Sequence, residues 1–165
     1  MSILNSKFDI VSVDNPVALA ALAQVLTVPG GMTLNSEGTP VAGSIPAGTI
    51  VAMDSSGFAV PAGTLDVVAN RLNAQMVFVT IDGNKDFSGA FVQKLTVLHG
   101  GFTMLTDQYD VASGALNQPG WLVTFKAGKV HRATANDQLF GVVGPAGLDA
   151  VNGVLQVIVP QGAGL

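Results

Sequence analysis

From Thr49 to Val159 the sequence is a succession of short runs rich in Val, Ile, Thr and Phe: TIVAM, FAV, QMVFVTI, AFVQKLTVL, GFTML, WLVTF, KVHRAT, LFGVV and VLQVIV. Such side chains suit the pleated surface of a strand, and clusters of Gly, Pro, Asn or Asp bound most of the runs at roughly 8–12 residue intervals. The spacing predicts a mainly β fold, a small β-barrel or β-sandwich of short strands. The 20 glycines and 8 prolines act as its corners and not as low-complexity sequence, because apolar runs separate them.

Within this pattern Pro-Ala-Gly-Thr occurs twice, at 46–49 and 61–64, on either side of one predicted hairpin that turns at Asp54–Gly57. Proline fixes φ and glycine releases it, so each copy reads as a corner that leads the chain into or out of a sheet. The stretch QPGWLVTFKAGKVHRA, residues 118–133, repeats the scheme of corner, strand, Gly-containing turn and returning strand. Gly57 and Gly128 are expected to supply the positive φ of the two hairpin turns. These motifs are scaffold.

The N-terminal part differs. Residues 1–14, MSILNSKFDIVSVD, read as an extended arm preceding one domain over 15–165. A short helix is predicted over about 15–27, with Asn15 as cap, Pro16 in the first turn and an apolar face of Val17, Leu19, Leu22, Val25 and Leu26. Pro29-Gly30-Gly31 ends it, and residues 35–48 read as a turn-rich connection. The stretch 63–74 fits a strand or a helical turn.

Charge narrows the partners. Only 11% of the 165 residues are charged and 48% are hydrophobic, against a usual charged share of about 25%. Part of that apolar surface is expected to be covered by other subunits or another protein. The net charge is −4, and the densest basic group, Lys126, Lys129 and Arg132, is too small to neutralise many phosphates, so no direct nucleic-acid partner is expected. Without cysteine there is no disulfide or thiol chemistry, and the commonest structural zinc ligand is missing. The longest apolar run, Pro16–Val28, is shorter than the ~20 residues of a membrane span. It also lacks the positive flank of a signal peptide. A soluble product made in the cytoplasm is the expectation.

No motif assembles a catalytic set. Asp82–Asp86, DGNKD, alternates oxygen ligands as a calcium loop does, but Phe87 and Gln93 occupy the places that need Gly and Glu, which favours a plain turn. HGGF at 99–102 lacks the G-x-S-x-G partner of a hydrolase. His131 has no companion ligands, and Asp107 and Asp110 in TDQYD read as turn residues. No cofactor fingerprint is present, and the chain is expected not to be an enzyme. Trp121, the sole tryptophan, follows a Pro-Gly corner and reads either as an interface anchor or as a plug at the end of the core.

The stretches AGTIVAMDSSGFAVPAGT, FVTIDGNKDFSGAFVQKLTVLHGGFTMLTDQY and WLVTFKAGKVHRATANDQLFGVVGPAGLDAVNGVLQVIVPQ resemble virion structural proteins of tailed bacteriophages. More narrowly they are similar to capsid decoration, or cement, proteins, in which a PAGTxVxxDxxGxxxP hairpin and a late xxGVV strand recur. The resemblance implies a head-stabilising protein on the outer capsid surface, often a homotrimer, with the major capsid protein as its partner. It also implies an N-terminal arm that orders against the capsid or a neighbouring subunit. Ile3, Leu4, Phe8, Ile10 and Val11 are the arm residues expected to make that contact, by adding to a partner sheet or groove. The helix over 16–26 has no counterpart in the family. A tail-tube or spike subunit is the alternative, followed by a carbohydrate-binding module, for which one Trp and one Tyr are thin support.

Overall fold

The computed structural model describes residues 7–15, 24–27, 32–34, 40–42, 45–53, 59–63, 77–82, 94–111, 116–135 and 137–161, with the backbone alone for 24–27, 32–34 and 40–42. Among the described residues thirteen strands are formed: β1 Phe8–Val13, β2 Gln24–Thr27, β3 Met32–Leu34, β4 Pro40–Ala42, β5 Ile50–Met53, β6 Ala59–Pro61, β7 Val77–Thr80, β8 Lys94–Leu98, β9 Phe102–Thr106, β10 Leu122–Lys126, β11 Lys129–Arg132, β12 Gly141–Asp149 and β13 Val154–Val159. They make a six-stranded sheet in the order β1-β9-β13-β12-β10-β11, a five-stranded sheet β2-β8-β7-β5-β6 and the ribbon β3-β4. All pairings between these strands are antiparallel. Both large sheets are open, so the architecture is sandwich-like and not a closed barrel.

Period-two alternation places the core. Ile50, Ala52, Val77, Val79 and Leu98 of the smaller sheet share one cluster with Phe102, Met104, Val123, Phe125, Val143, Leu155, Val157 and Val159 of the larger. The intervening residues Val51, Phe78, Leu95 and Val97 form a second buried cluster with Ile45 and Ala59. The five-stranded sheet is therefore buried on both faces, which explains why its strands read as continuous apolar runs. His99-Gly100-Gly101 is the corner where the chain leaves β8 of one sheet for β9 of the other. A Cβ on Gly100 would collide with Pro160 O.

The repeated Pro-Ala-Gly-Thr now has a physical role. In the first copy Thr49 N donates to Pro46 O at 3.3 Å and Gly48 has φ +83°, as the third position of a type II turn requires. Thr49 Oγ1 and Thr80 Oγ1 also donate to Pro46 O, at 2.6 and 3.0 Å. In the second copy Gly63 has φ +75° and lies against the backbone of Phe125 and Lys126. Between the copies sits the tip of the β10–β11 hairpin, with Ala127 at φ 51° and Gly128 at φ 78°, the signs of a type I′ turn. Gly128 N donates to Ala62 O at 2.9 Å, and Ile50 N donates to Gly128 O at 2.8 Å. The two sequence-related hairpins thus interlock, and this clasp ties one sheet to the other.

The N-terminal part departs from expectation. Gln24–Thr27, predicted as the end of a helix, is a strand paired with β8 in the register Val25–Thr96 and Leu26–Leu95. The β-branched Val25 and Thr27 favour this state once β8 offers a free edge; residues 16–23 lie outside the described residues. Pro40–Ala42, read as part of a connection, pairs with Met32–Leu34. The turn at Asp54–Gly57 and the stretch from Thr64 to Ala74 also lie outside the described residues.

Candidate functional site

The six-stranded sheet has a second face, turned away from the core. One register row crosses it through Thr103, Ile158, Val142 and Leu122, and Leu105 stands opposite Gln156 two residues along. Their neighbours Met104, Val157, Val143 and Val123 point into the core and are buried, so these six point outward. Leu122 is 49% exposed; the other five are partly exposed. An antiparallel sheet with one face to water ordinarily alternates apolar and polar residues. Here these six outward positions carry four aliphatic groups, one threonine and one amide. That amide is already engaged: Gln156 Oε1 accepts from Ala146 N at 2.8 Å, and its side chain lies over Gly144, where a Cβ would come within 2.5 Å of it.

Ionisable groups sit at the margins. At the β1 edge, Lys7 N donates to Asp107 Oδ2 at 2.9 Å, and Asp9 and Asp14 are exposed. At the β11 edge, His131 Nδ1 lies 4.0 Å from Asp110 Oδ2, too far for a hydrogen bond. Burial pushes the His131 imidazole below its usual value, Asp110 and Asp137 oppose the shift, and Lys126 adds to it. The ring is therefore neutral at neutral pH, so the contact is no ion pair there. Burial lowers His99 in the same way, and its ring packs against Phe78 with centroids 5.4 Å apart.

The residues singled out in the sequence scatter across this frame. Phe8 and Ile10 lie on β1 and pack inward on this chain's own core; Ile3 and Leu4 lie outside the described residues. Val11 sits at a bulge between Ile10 and Ser12 and is 45% exposed. The segment expected to join a partner's sheet is thus, from Phe8 to Val13, the edge strand of its own. Removing residues 2–14 would strip that strand from β9, so the truncation would probe folding along with attachment. Trp121 packs at the margin of the core, and the Arg132 guanidinium covers its ring at 3.7 Å from the centroid.

Asp82 Oδ1 accepts from Thr96 N at 2.8 Å, and 83–86 lie outside the described residues. Asp107 and Asp110 lie apart: Asp107 accepts from Lys7 N just ahead of β1, and Asp110 stands beside His131 of β11. No group of three or more His, Cys, Asp or Glu that could hold a metal ion gathers among the described residues. No helix among them is long and apolar enough to cross a membrane. The outward row was missed in the sequence, although its signal was there: GFTML and VLQVIV lack the charged alternate positions of a water-facing strand. Comparison with protein-family models, curated proteins and solved structures finds no match.

Proposed function

We propose that this chain is a non-enzymatic virion structural protein that binds the outer surface of a tailed-phage head and stabilises contacts between capsomers. The observation that carries the reading is the aliphatic patch of Leu105, Ile158, Val142 and Leu122 at the centre of the outer face of the six-stranded sheet, a surface suited to cover by protein. The likeness of the 47–64 hairpin and the late GVV strand to capsid decoration proteins supplies the setting, with the major capsid protein as partner and a homo-oligomer, implied as a trimer, as the attached form. The interlocked hairpins suit a rigid cement. Binding the assembled shell and not the loose subunits stabilises the shell by mass action, and repetition over a lattice raises avidity from modest single contacts. The test is co-sedimentation with heads that lack this protein. The reading expects saturable binding to assembled heads and none to unassembled capsid subunits. Protein that stays in the supernatant at all concentrations refutes it, and hexameric rings in solution would favour the tail-tube alternative.

A further inference from the structure

We infer that Asn152-Gly153 is a deamidation site that the folded chain keeps closed, with the Asp149 carboxylate as its lock. The inference concerns the hairpin between β12 and β13 alone and stands whether or not the capsid reading does.

The fold itself creates the site. Asp149 pairs with Val154, so residues 150–153 turn the chain from β12 into β13. Gly153 closes that turn with φ +67°, in the left-handed region that glycine enters without strain. The residue before it is Asn152, and this is the only Asn-Gly pair in the sequence. In such a pair no side chain shields the glycine nitrogen. Once that nitrogen has given its proton to a solvent base, it can attack Cγ of the asparagine. The bond from Cγ to Nδ2 then breaks, and Nδ2 leaves as ammonia with protons from water, which closes a succinimide ring. Water opens the ring at either carbonyl to give aspartate or isoaspartate. The net change is one water consumed and one ammonia released. Water reaches this turn, because Ala150, Val151 and Asn152 are all exposed. Crowding gives no protection either, since a Cβ on Gly153 would meet nothing within 4 Å.

Hydrogen bonds close the site instead. The nucleophile is engaged: Gly153 N donates to the backbone oxygen of Asp149 at 2.8 Å, which holds the proton that must leave. The leaving group is engaged too, as Asn152 Nδ2 donates to Asp149 Oδ2 at 2.6 Å. Asp149 Oδ1 accepts from Val151 N at 3.0 Å and from Asn152 N at 3.1 Å, and Lys7 Nζ donates to Asn152 O. Attack requires Cγ to swing onto Gly153 N, and the bond from Nδ2 to Asp149 must break first. The hydrogen bonds from Asn152 hold the Asp149 carboxyl below its usual range, so it is ionised at neutral pH, and a charged acceptor makes the stronger bonds. Its charge also opposes the amide anion that the reaction forms at Gly153. Rates of ring closure depend steeply on such positioning.

The test is to age the purified full chain in mildly alkaline buffer and to follow, by peptide mapping, the gain of about 1 Da at Asn152. The folded parent should deamidate there at least tenfold more slowly than the same chain unfolded in urea. Folded Asp149→Ala should approach the unfolded rate. Asp149→Asn keeps one oxygen for the backbone N–H groups of the turn but loses the charge and the second acceptor. It should melt within a few degrees of the parent and still deamidate at Asn152 severalfold faster, which separates the lock from the stability of the fold. Equal rates for the folded and unfolded parent overturn the inference, as does an Asp149→Asn variant that deamidates at Asn152 as slowly as the parent.

Discussion

Gly128→Ala attacks the clasp at its tightest point. A Cβ there would lie 2.7 Å from Thr49 Cγ2, 3.1 Å from Pro61 Cβ and 3.3 Å from Ile50 O, at a residue whose φ is +78°. Left-handed backbone costs a non-glycine residue roughly 1–2 kcal/mol, and forcing a methyl into a packed contact costs roughly 1–3 kcal/mol more. The neighbours have little room, because Gly128 also holds Ala62 O and Ile50 N by hydrogen bonds of 2.9 and 2.8 Å. The sum is about 2–5 kcal/mol. At roughly 2–4 °C per kcal/mol for a chain of this size, melting should fall by about 4–20 °C. Gly120→Ala is the matched control, since Gly120 has φ +87° and nothing within 4 Å of its would-be Cβ; only the backbone part, roughly 1–2 kcal/mol, should be lost. Thermal and urea unfolding of both variants gives the comparison. Equal losses, within about 0.5 kcal/mol, would show that the hairpin tip is not gripped between the two Pro-Ala-Gly-Thr corners, and the clasp would be refuted.

Ala127, exposed with φ 51°, occupies a turn position that favours Asn; Ala127→Asn should stabilise the chain by about 0.5–1 kcal/mol in urea unfolding, and a loss would argue against the type I′ turn. Arg132→Ala should remove about 0.5–1 kcal/mol from the stack on Trp121 and shift its fluorescence to the red; an unmoved spectrum would contradict the stacked geometry. His99 and His131 both titrate lower in the fold than the ordinary ~6.5 of an unfolded chain. The unfolded state therefore takes up protons first: this contribution is complete above about pH 6.5 and is lost as pH falls toward the lowered folded values. Melting temperature should drop from about pH 7.5 to about pH 5, and the His99→Gln/His131→Gln variant should show a flatter profile, whereas an unchanged profile would refute the assignment.

The strands from Thr49 onward were legible because their β-branched runs and Gly or Pro corners encode local structure directly. Every run named there contains or overlaps an observed strand, and Gly128 has the positive φ expected of it. Barrel and sandwich were not separable, since closure depends on which edges meet and not on any strand's composition. Val25-Leu26-Thr27 shows the opposite case: the helical period of the apolar residues around it was real in the sequence, but pairing with β8 decided the outcome. Phe8 and Ile10 looked like arm residues because nothing local says that β9 lies beside them; that pairing is almost a hundred residues distant, as in Phe8 with Thr106. The outward row of the six-stranded sheet was hidden for a similar reason. In VLQVIV both faces are apolar apart from Gln156, and only the register assigns Leu155 and Val157 to the core and Ile158 to the surface.

The proposal that this chain acts as a cement is tested most directly by heating DNA-filled heads with and without it while DNA release is followed. A protein that binds only the assembled shell must raise the release temperature as its concentration rises, levelling off when the lattice sites are filled. Release at the same temperature with and without saturating protein would contradict the account.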